Sequence, residues 1–294
     1  KFPEYSFIKR RMAGCNQADS FLIQILLLFI LLNLNQQLNK SKIMHTQNKI
    51  SVVIITGNEE NNIKDCLKSV KWADEIIVVD SESSDETAKI AKEFTDKVFI
   101  HKWDGYSAQK TYAITLAKND WILSIDADER VSDELAKEIL EKDLTKHNGY
   151  FIKRDNFFLG KLIRGCGWGN DLQLRLFKKS ETKLSDRMVH EKFIVNGSVS
   201  ELKNSFSHYS YQNLNDAFIK INNYSTLEAN EKADKKTVNL FTLLISPPIY
   251  FLHHFIIRKG FIDGIYGTLI SYMHMITKLQ VQLKIIEIKK NKRS

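Results

Sequence analysis

The sequence predicts an α/β protein: a mostly parallel sheet flanked by helices, followed by a C-terminal helical, membrane-associated extension. Three observations predict it. Short β-branched runs at 50–56, 75–80, 97–101 and 121–126 show no polar–apolar alternation, the pattern of strands covered on both faces. The segments between them place apolar residues at helical spacing with short links, as parallel sheets require. From about residue 213 strand signals disappear and the chain becomes helical, then strongly apolar.

The elements follow in order. "ISVVIIT" (50–56) is a buried strand, and Ile63, Cys66, Leu67 and Val70 mark the inner face of the helix after it. "EIIVVD" (75–80) is the second strand. Ser83 and Glu86 are spaced as a capping box for a helix that turns Ala88, Ala91 and Phe94 inward. "KVFIH" (97–101) is the third strand, and a helix over 107–119 buries Ala108, Ala113, Leu116 and Ala117. "WILSID" (121–126) is the fourth strand. Ser132 opens a helix over 132–147. Strand signals at 149–160, 172–179 and 192–199 are irregular and predict an antiparallel flap or edge on the parallel core. Residues 238–288 are apolar and aromatic, broken by Pro247–Pro248 and spotted with Arg258, Lys259 and Lys278. Such a stretch fits amphipathic helices on an anionic leaflet better than a clean span, although an ordinary helical subdomain or a dimer face has the same composition.

The N-terminus stands apart. Residues 21–32, "FLIQILLLFILL", follow Lys9, Arg10 and Arg11 and resemble a short signal or anchor segment. The preferred reading is that 1–43 is translated upstream sequence ahead of a start at Met44. The expected division is therefore 1–43 apolar segment, 44–212 catalytic domain and 213–294 helical region. Cys15, Cys66 and Cys166 form no metal spacing and are expected as reduced thiols. A net charge of +8 suits an acidic partner, membrane or phosphorylated. Nucleic acid is not expected, because the basic residues do not interleave with aromatics as a binding platform requires.

The acids at strand ends carry the chemistry. Glu59 lies just past strand one, Asp80 ends strand two, and Asp126 and Asp128 end strand four, which is where open α/β sheets bind ligands. Asp-x-Asp at the end of a buried strand can hold Mg²⁺ or Mn²⁺, which in turn binds diphosphate oxygens. The same acids could instead form a solvated turn in which Asp128 or Glu129 caps the next helix. Asp80 with Ser81, Ser83 and Asp85 could bond a ribose or a base, or the serines could only cap. Gln109 and Lys110 open the third helix, where Lys110 could neutralise phosphate. Neither a dinucleotide fingerprint nor a P-loop is present.

With these residues in view, "SVVIITGNEENNIKDCLKSVKWADEIIVVDSESSDETAKIAKEF", "GYSAQKTYAITLAKNDWILSIDADER" and "RMVHEKFIVNG" resemble family 2 glycosyltransferases, more closely the branch of lipopolysaccharide core synthesis. The resemblance runs from about residue 50 to 230. It implies a GT-A fold, a nucleotide-sugar donor, a divalent metal and inversion at the anomeric centre. It further implies that Thr56, Asn58 and Glu59 line the nucleotide pocket, that Asp80 contacts uracil or ribose, and that Asp126 and Asp128 meet metal and diphosphate. "GNDLQLRLF" and "VHE" resemble the segments that close over donor and acceptor. Gly57 departs from the family, where a larger, often basic residue is usual. Inversion needs a carboxylate base at the acceptor hydroxyl. Glu191 is favoured over Asp171, with His190 orienting it or touching phosphate. Arg175 could hold diphosphate or only pair with Asp171.

The expected reaction moves a hexose or heptose onto a lipid-linked or lipopolysaccharide-core acceptor, at the cytoplasmic face of the inner membrane. A sugar nucleotidyltransferase is the rival among enzymes, but "TGNEENN" lacks its Gly-rich basic loop. A non-catalytic nucleotide- or glycan-binding protein is the rival outside them.

Overall fold

The structure, a computed structural model, describes residues 26–34, 48–184, 193–211 and 213–292. The chain divides into two units, 1–48 and 49–294. In the first, residues 26–34 are helical. Everything below concerns the second.

Its sheet begins as the sequence predicts. Strands β1 (Ile50–Thr56), β2 (Glu75–Asp80), β3 (Val98–Ile100) and β4 (Trp121–Asp126) are parallel in the order β3-β2-β1-β4. Helices α1 (Glu60–Ser69), α2 (Thr87–Lys92) and α3 (Tyr106–Leu116) connect them. β1 shows why its sequence does not alternate. Ile50, Val52 and Ile54 pack into one core with Ile63 and Leu67 of α1. Val53 and Ile55 pack on the other face with Ala113 and Ala117 at α3. Both faces are covered, so an unbroken apolar run is what burial favours. Register then fixes the rim: Thr56 pairs with Asp80, and Ile55 pairs with Asp126.

Beyond β4 the sheet becomes mixed. β4 is followed in the chain by β5 (Glu129–Val131), α4 (Asp133–Glu141), β6 (Gly149–Phe158), β7 (Lys161–Leu162) and β8 (Asp171–Lys178). β9 (Thr182–Leu184), β10 (Phe193–Val195) and β11 (Val199–Tyr211) come next. β8 joins β4 antiparallel, β6 joins β8 antiparallel, β11 runs parallel to β6, and β5 closes the far edge against β11. The expected antiparallel flap is thus part of the same sheet, and β9 and β10 form a separate pair. β11 is an unexpected strand of 13 residues. Strands β4 and β5 adjoin in sequence but are separated in the sheet by β8, β6 and β11, and β11 reaches the short link between them, where the Tyr209 N–H donates to the Asp128 carbonyl at 2.9 Å. Ser132 caps α4 as expected, accepting the Leu135 N–H at 3.1 Å.

Three long helices follow: α5 (Leu214–Lys232), α6 (Leu240–Leu252) and α7 (Ile265–Asn291). They are anchored by the buried Asp263, which accepts the N–H groups of Gly165 at 2.6 Å and Arg164 at 3.1 Å. Gly267 permits a close crossing, since a Cβ there would lie 1.8 Å from the Gly260 carbonyl oxygen. The expected break at Pro247–Pro248 does not occur. Proline removes a donor but its fixed φ is helical, so α6 runs through both and changes only to a π-helical turn at His253–Ile257. Leu240–Ile257 is consequently 18 residues long with mean hydropathy 1.6, enough by length and composition to cross a membrane, and 6% of it is buried.

Candidate active site

At the carboxyl rim, the loops after β1 and β2 are sewn together. Asp80 is buried and accepts both the Ser83 N–H (2.8 Å) and the Ser83 hydroxyl (2.5 Å). The same hydroxyl oxygen accepts the Asn58 N–H at 2.8 Å, and Asn58 Oδ1 accepts the Ser84 N–H at 2.9 Å. Asn58 takes a left-handed conformation (φ 54°), which asparagine tolerates better than most residues. The expected Ser83–Glu86 capping box is not formed. α2 starts at Thr87, and Ser83 is committed to Asp80 instead. Gln109 is wholly buried and ties this rim to β3: its amide donates to Ser81 Oγ (2.8 Å) and to the His101 carbonyl (3.0 Å). Thr56 Oγ1, between these loops, is buried with no hydrogen-bond partner among the described residues.

The paired aspartates have different neighbours. Asp126 Oδ2 accepts from Arg175 at 3.0 Å, while Oδ1 faces the buried Lys110 ammonium at 3.2 Å without an aligned hydrogen bond. Arg175 also holds Glu129, which is fully buried and accepts the Asp126 N–H at 2.9 Å. Burial pushes the Asp126 carboxyl up, but Lys110 and Arg175 outweigh it and keep the group well below the usual carboxylate range. Asp128 Oδ2 lies 3.5 Å from His208 Nε2 on β11 and 3.5 Å from Lys220 Nζ on α5. Burial again opposes ionisation, and His208 followed by Lys220 overcomes it. Glu59 stands nearby. Burial, then the charge of Asp128, raises its pKa, against Asn62, Lys220 and Arg130. Its Oε2 accepts from Asn62 at 2.7 Å.

Arg175 does not pair with Asp171. Asp171 accepts instead from Arg154 (2.7 Å), Asn156 (3.0 Å) and Gln173 (2.5 Å). Burial raises its pKa, and Arg154, Asn156 and Gln173 bring it below the ordinary value. A carboxylate so fully donated to is a weak proton acceptor. Glu191 and His190 lie outside the described residues, between β9 and β10.

The structure therefore gathers Thr56, Asn58, Glu59, Asp80, Ser81, Gln109, Lys110, Asp126, Asp128 and Arg175 along one rim. It adds residues that sequence reasoning missed: Glu129 as a buried counter-charge, Arg154, His208 and Lys220. Lys220 comes from beyond residue 212, so the rim is not confined to the expected catalytic segment. Among the described residues no three His, Cys, Asp or Glu side chains form a ready metal cage. Asp128 offers the carboxylate oxygens that Mg²⁺ or Mn²⁺ prefers when water and phosphate oxygens complete the shell, and His208 stands beside it.

Comparison with known proteins bears on this rim. The family described as "Glycosyl transferase family 2" matches residues 51–192. An uncharacterized glycosyltransferase of Rickettsia typhi is 36% identical over 236 residues, covering 74% of this chain and 80% of its own. The lipopolysaccharide core biosynthesis glycosyltransferase LpsC of Rhizobium meliloti is 28% identical over 242 residues, covering 76% of this chain and 89% of its own. Among solved structures, S. aureus TarS is 14% identical with a TM-score of 0.41, covering 83% of this chain and 92% of that one, too loose a likeness to carry weight.

Proposed function

This chain belongs to glycosyltransferase family 2, and from that premise we propose that it moves a hexose or heptose, with inversion, from a nucleotide-diphosphate sugar to a lipopolysaccharide-core or other envelope glycan. Family membership sets aside the nucleotidyltransferase and the non-catalytic binder. The kinship with LpsC supports the acceptor class.

One observation carries the reading: at the rim where β1, β2 and β4 end, a buried cationic nest adjoins an acid held only by long contacts. Lys110 and Arg175 are buried and already paired with Asp126 and Glu129, so the nest is assembled before a ligand arrives. Thr56 Oγ1, Ser81 and the Asp80 loop offer polar groups to the nucleoside. Asp128 with His208 would hold Mg²⁺ or Mn²⁺, which supplies charge neutralisation for the leaving diphosphate. Lys220, on the same acid, is placed to retreat toward a phosphate or toward the Ser210 carbonyl, 3.1 Å away. Glu191 takes the acceptor proton in this reading, because Asp171 is saturated with donors.

We further propose that the chain attaches peripherally to the cytoplasmic face of the inner membrane. Residues 44–212 would carry most of the chemistry and 213–294 the attachment. Leu240, Phe241, Leu244, Ile249 and Ile257 are exposed on and beside α6, with Arg258 and Lys259 at its end.

The test is a panel of UDP-, ADP-, GDP- and dTDP-sugars with Mn²⁺ and truncated lipopolysaccharide. One donor is expected to release its nucleoside diphosphate and to form an inverted linkage, seen in the anomeric coupling of the product. Retention at that centre, or no donor accepted in the presence of metal, would refute the reading.

A further inference from the structure

We propose that α5, α6 and α7 build a headgroup site for an anionic phospholipid whose headgroup carries a free hydroxyl, of the phosphatidylglycerol class. The proposal rests on the membrane-facing reading of α6. A cavity of about 170 Å³ lies among Lys232, Lys236, Thr242, Ser246, Lys278 and Gln282. A water occupies roughly 30 Å³ of liquid, so the cavity holds a small polar group and not a sugar nucleotide.

Its lining states what it would take. Lys232, Lys236 and Lys278 line a space with no carboxylate in its wall. Lys232 is paired with Glu228, whereas among the described residues Lys236 and Lys278 have no acidic partner. Lys278 instead lies over the Tyr250 ring, 4.7 Å from its centre. The acids around this end are Glu228, Glu231, Asp234 and Glu287, with Asp234 tied to Lys292. Lys235, Lys289 and Lys290 add to the positive side. An anion is favoured here, and the first turn of α6, with its amides toward the same end, adds to that.

The second observation is independent of charge. Gln282 is 6% exposed. Its Nε2 donates to Ser246 Oγ at 2.7 Å and to the Thr242 carbonyl at 3.2 Å, which fixes the amide. Its Oε1 is then buried with no partner among the described residues. A buried acceptor without a donor is costly unless a ligand supplies one. An anion with no proton to give does not satisfy it, but a hydroxyl beside the phosphate does. The third observation is position. Thr242 and Ser246 line the cavity from α6, and the same helix exposes Leu240 and Phe241 at 71% each. A lipid would place its phosphate between Lys236 and Lys278, a glycerol hydroxyl on Gln282 Oε1, and its chains along Leu240, Phe241 and Leu244.

The experiment is co-flotation of the full chain with vesicles of phosphatidylcholine alone, or with a quarter of phosphatidylglycerol or of phosphatidylserine. Phosphatidylglycerol vesicles are expected to bind best. Lys236→Gln with Lys278→Gln should weaken that binding at least about tenfold, from roughly 1 kcal/mol per basic residue at the surface. Lys64→Gln with Lys92→Gln, exposed lysines of the catalytic segment away from this end, removes equal charge and should change it less than threefold. Gln282→Leu should erase the preference for phosphatidylglycerol over phosphatidylserine while leaving anionic binding in place. Equal effects of the two lysine pairs would overturn the headgroup site and leave membrane attachment standing. No binding to any vesicle would overturn attachment itself. A thermal shift with free glycerol phosphate that depends on Lys236 and Lys278, without vesicle preference, would assign the cavity to a soluble ligand and overturn the lipid.

Discussion

Asp126 and Asp128 stand two residues apart on one rim, yet they live in unlike surroundings. Asp126 lies between Lys110 and Arg175, and Arg175 is in turn gripped by the buried Glu129. Among the described residues the Asp128 carboxylate has two charged contacts, each of 3.5 Å, one to an imidazole and one to a lysine that also serves Ser210. The first carboxylate is part of the scaffold. The second is held by groups that a ligand can replace. A D-x-D pair that looks symmetrical in sequence is thus divided by its neighbours: one acid is paired with Lys110 and Arg175, and the other, on the proposed reading, is the one that takes a cation.

The largest effect that could break this comparison lies on the scaffold side. Arg175→Met strands Glu129 and half-releases Asp126, both in buried positions. Losing one partner of such a pair costs about 3–5 kcal/mol. Urea unfolding should show that loss, and a loss below about 1 kcal/mol would mean the nest is not structural. A smaller effect sharpens the contrast at the opposite end of the strands. Glu75, also buried, accepts from Ser51, Lys97 and the Lys118 N–H (2.8 Å). Burial raises its pKa, and the bonds from Lys97, Ser51 and Lys118 together bring it below the ordinary value of 4.5. Its contribution is therefore present above pH 4.5 and is lost as acid takes the pH down through the lower folded value. Glu75→Gln should cost about 1.5–3 kcal/mol at neutral pH and flatten the fall of stability in that acid window. An unchanged acid slope would count against it. The smallest effect is on the available side. Lys220→Met should tighten Mn²⁺ binding about threefold to tenfold, because the half-buried ammonium, 3.5 Å from Asp128, competes with a cation for that carboxylate by roughly 1 kcal/mol. Weaker Mn²⁺ binding would show that Lys220 supports the cation site and does not compete with it.

The parallel half of the fold was legible because strands covered on both faces have nothing to alternate with. Val52 and Val53 face opposite cores, and the sequence carries apolar residues for both. β11 was not legible. "VSELKNSFSHYSY" buries Leu202 and Phe206 among polar residues, and register shifts at Glu201/Ser205 and His208/Tyr211 interrupt its period of two. His208 was hidden with it, a single histidine in an unrecognised strand. Lys220 was hidden differently: a lysine on a helix is ordinarily solvent-facing, and only the packing of α5 over the rim brings it to Asp128. Glu129 was visible as an acid, but its complete burial depends on Arg175 arriving from β8, 46 residues later in the chain. The Ser83–Glu86 spacing misled because a local cap lost to a stronger acceptor, the Asp80 carboxylate.

The division between the two aspartates is tested most directly by calorimetric titration of Mn²⁺ into the protein with UDP present, comparing the wild type with Asp128→Asn. The account predicts that the variant stays folded, with a smaller loss of stability than Arg175→Met, and loses metal uptake by about a hundredfold or more. Full Mn²⁺ uptake by a well-folded Asp128→Asn protein would contradict it.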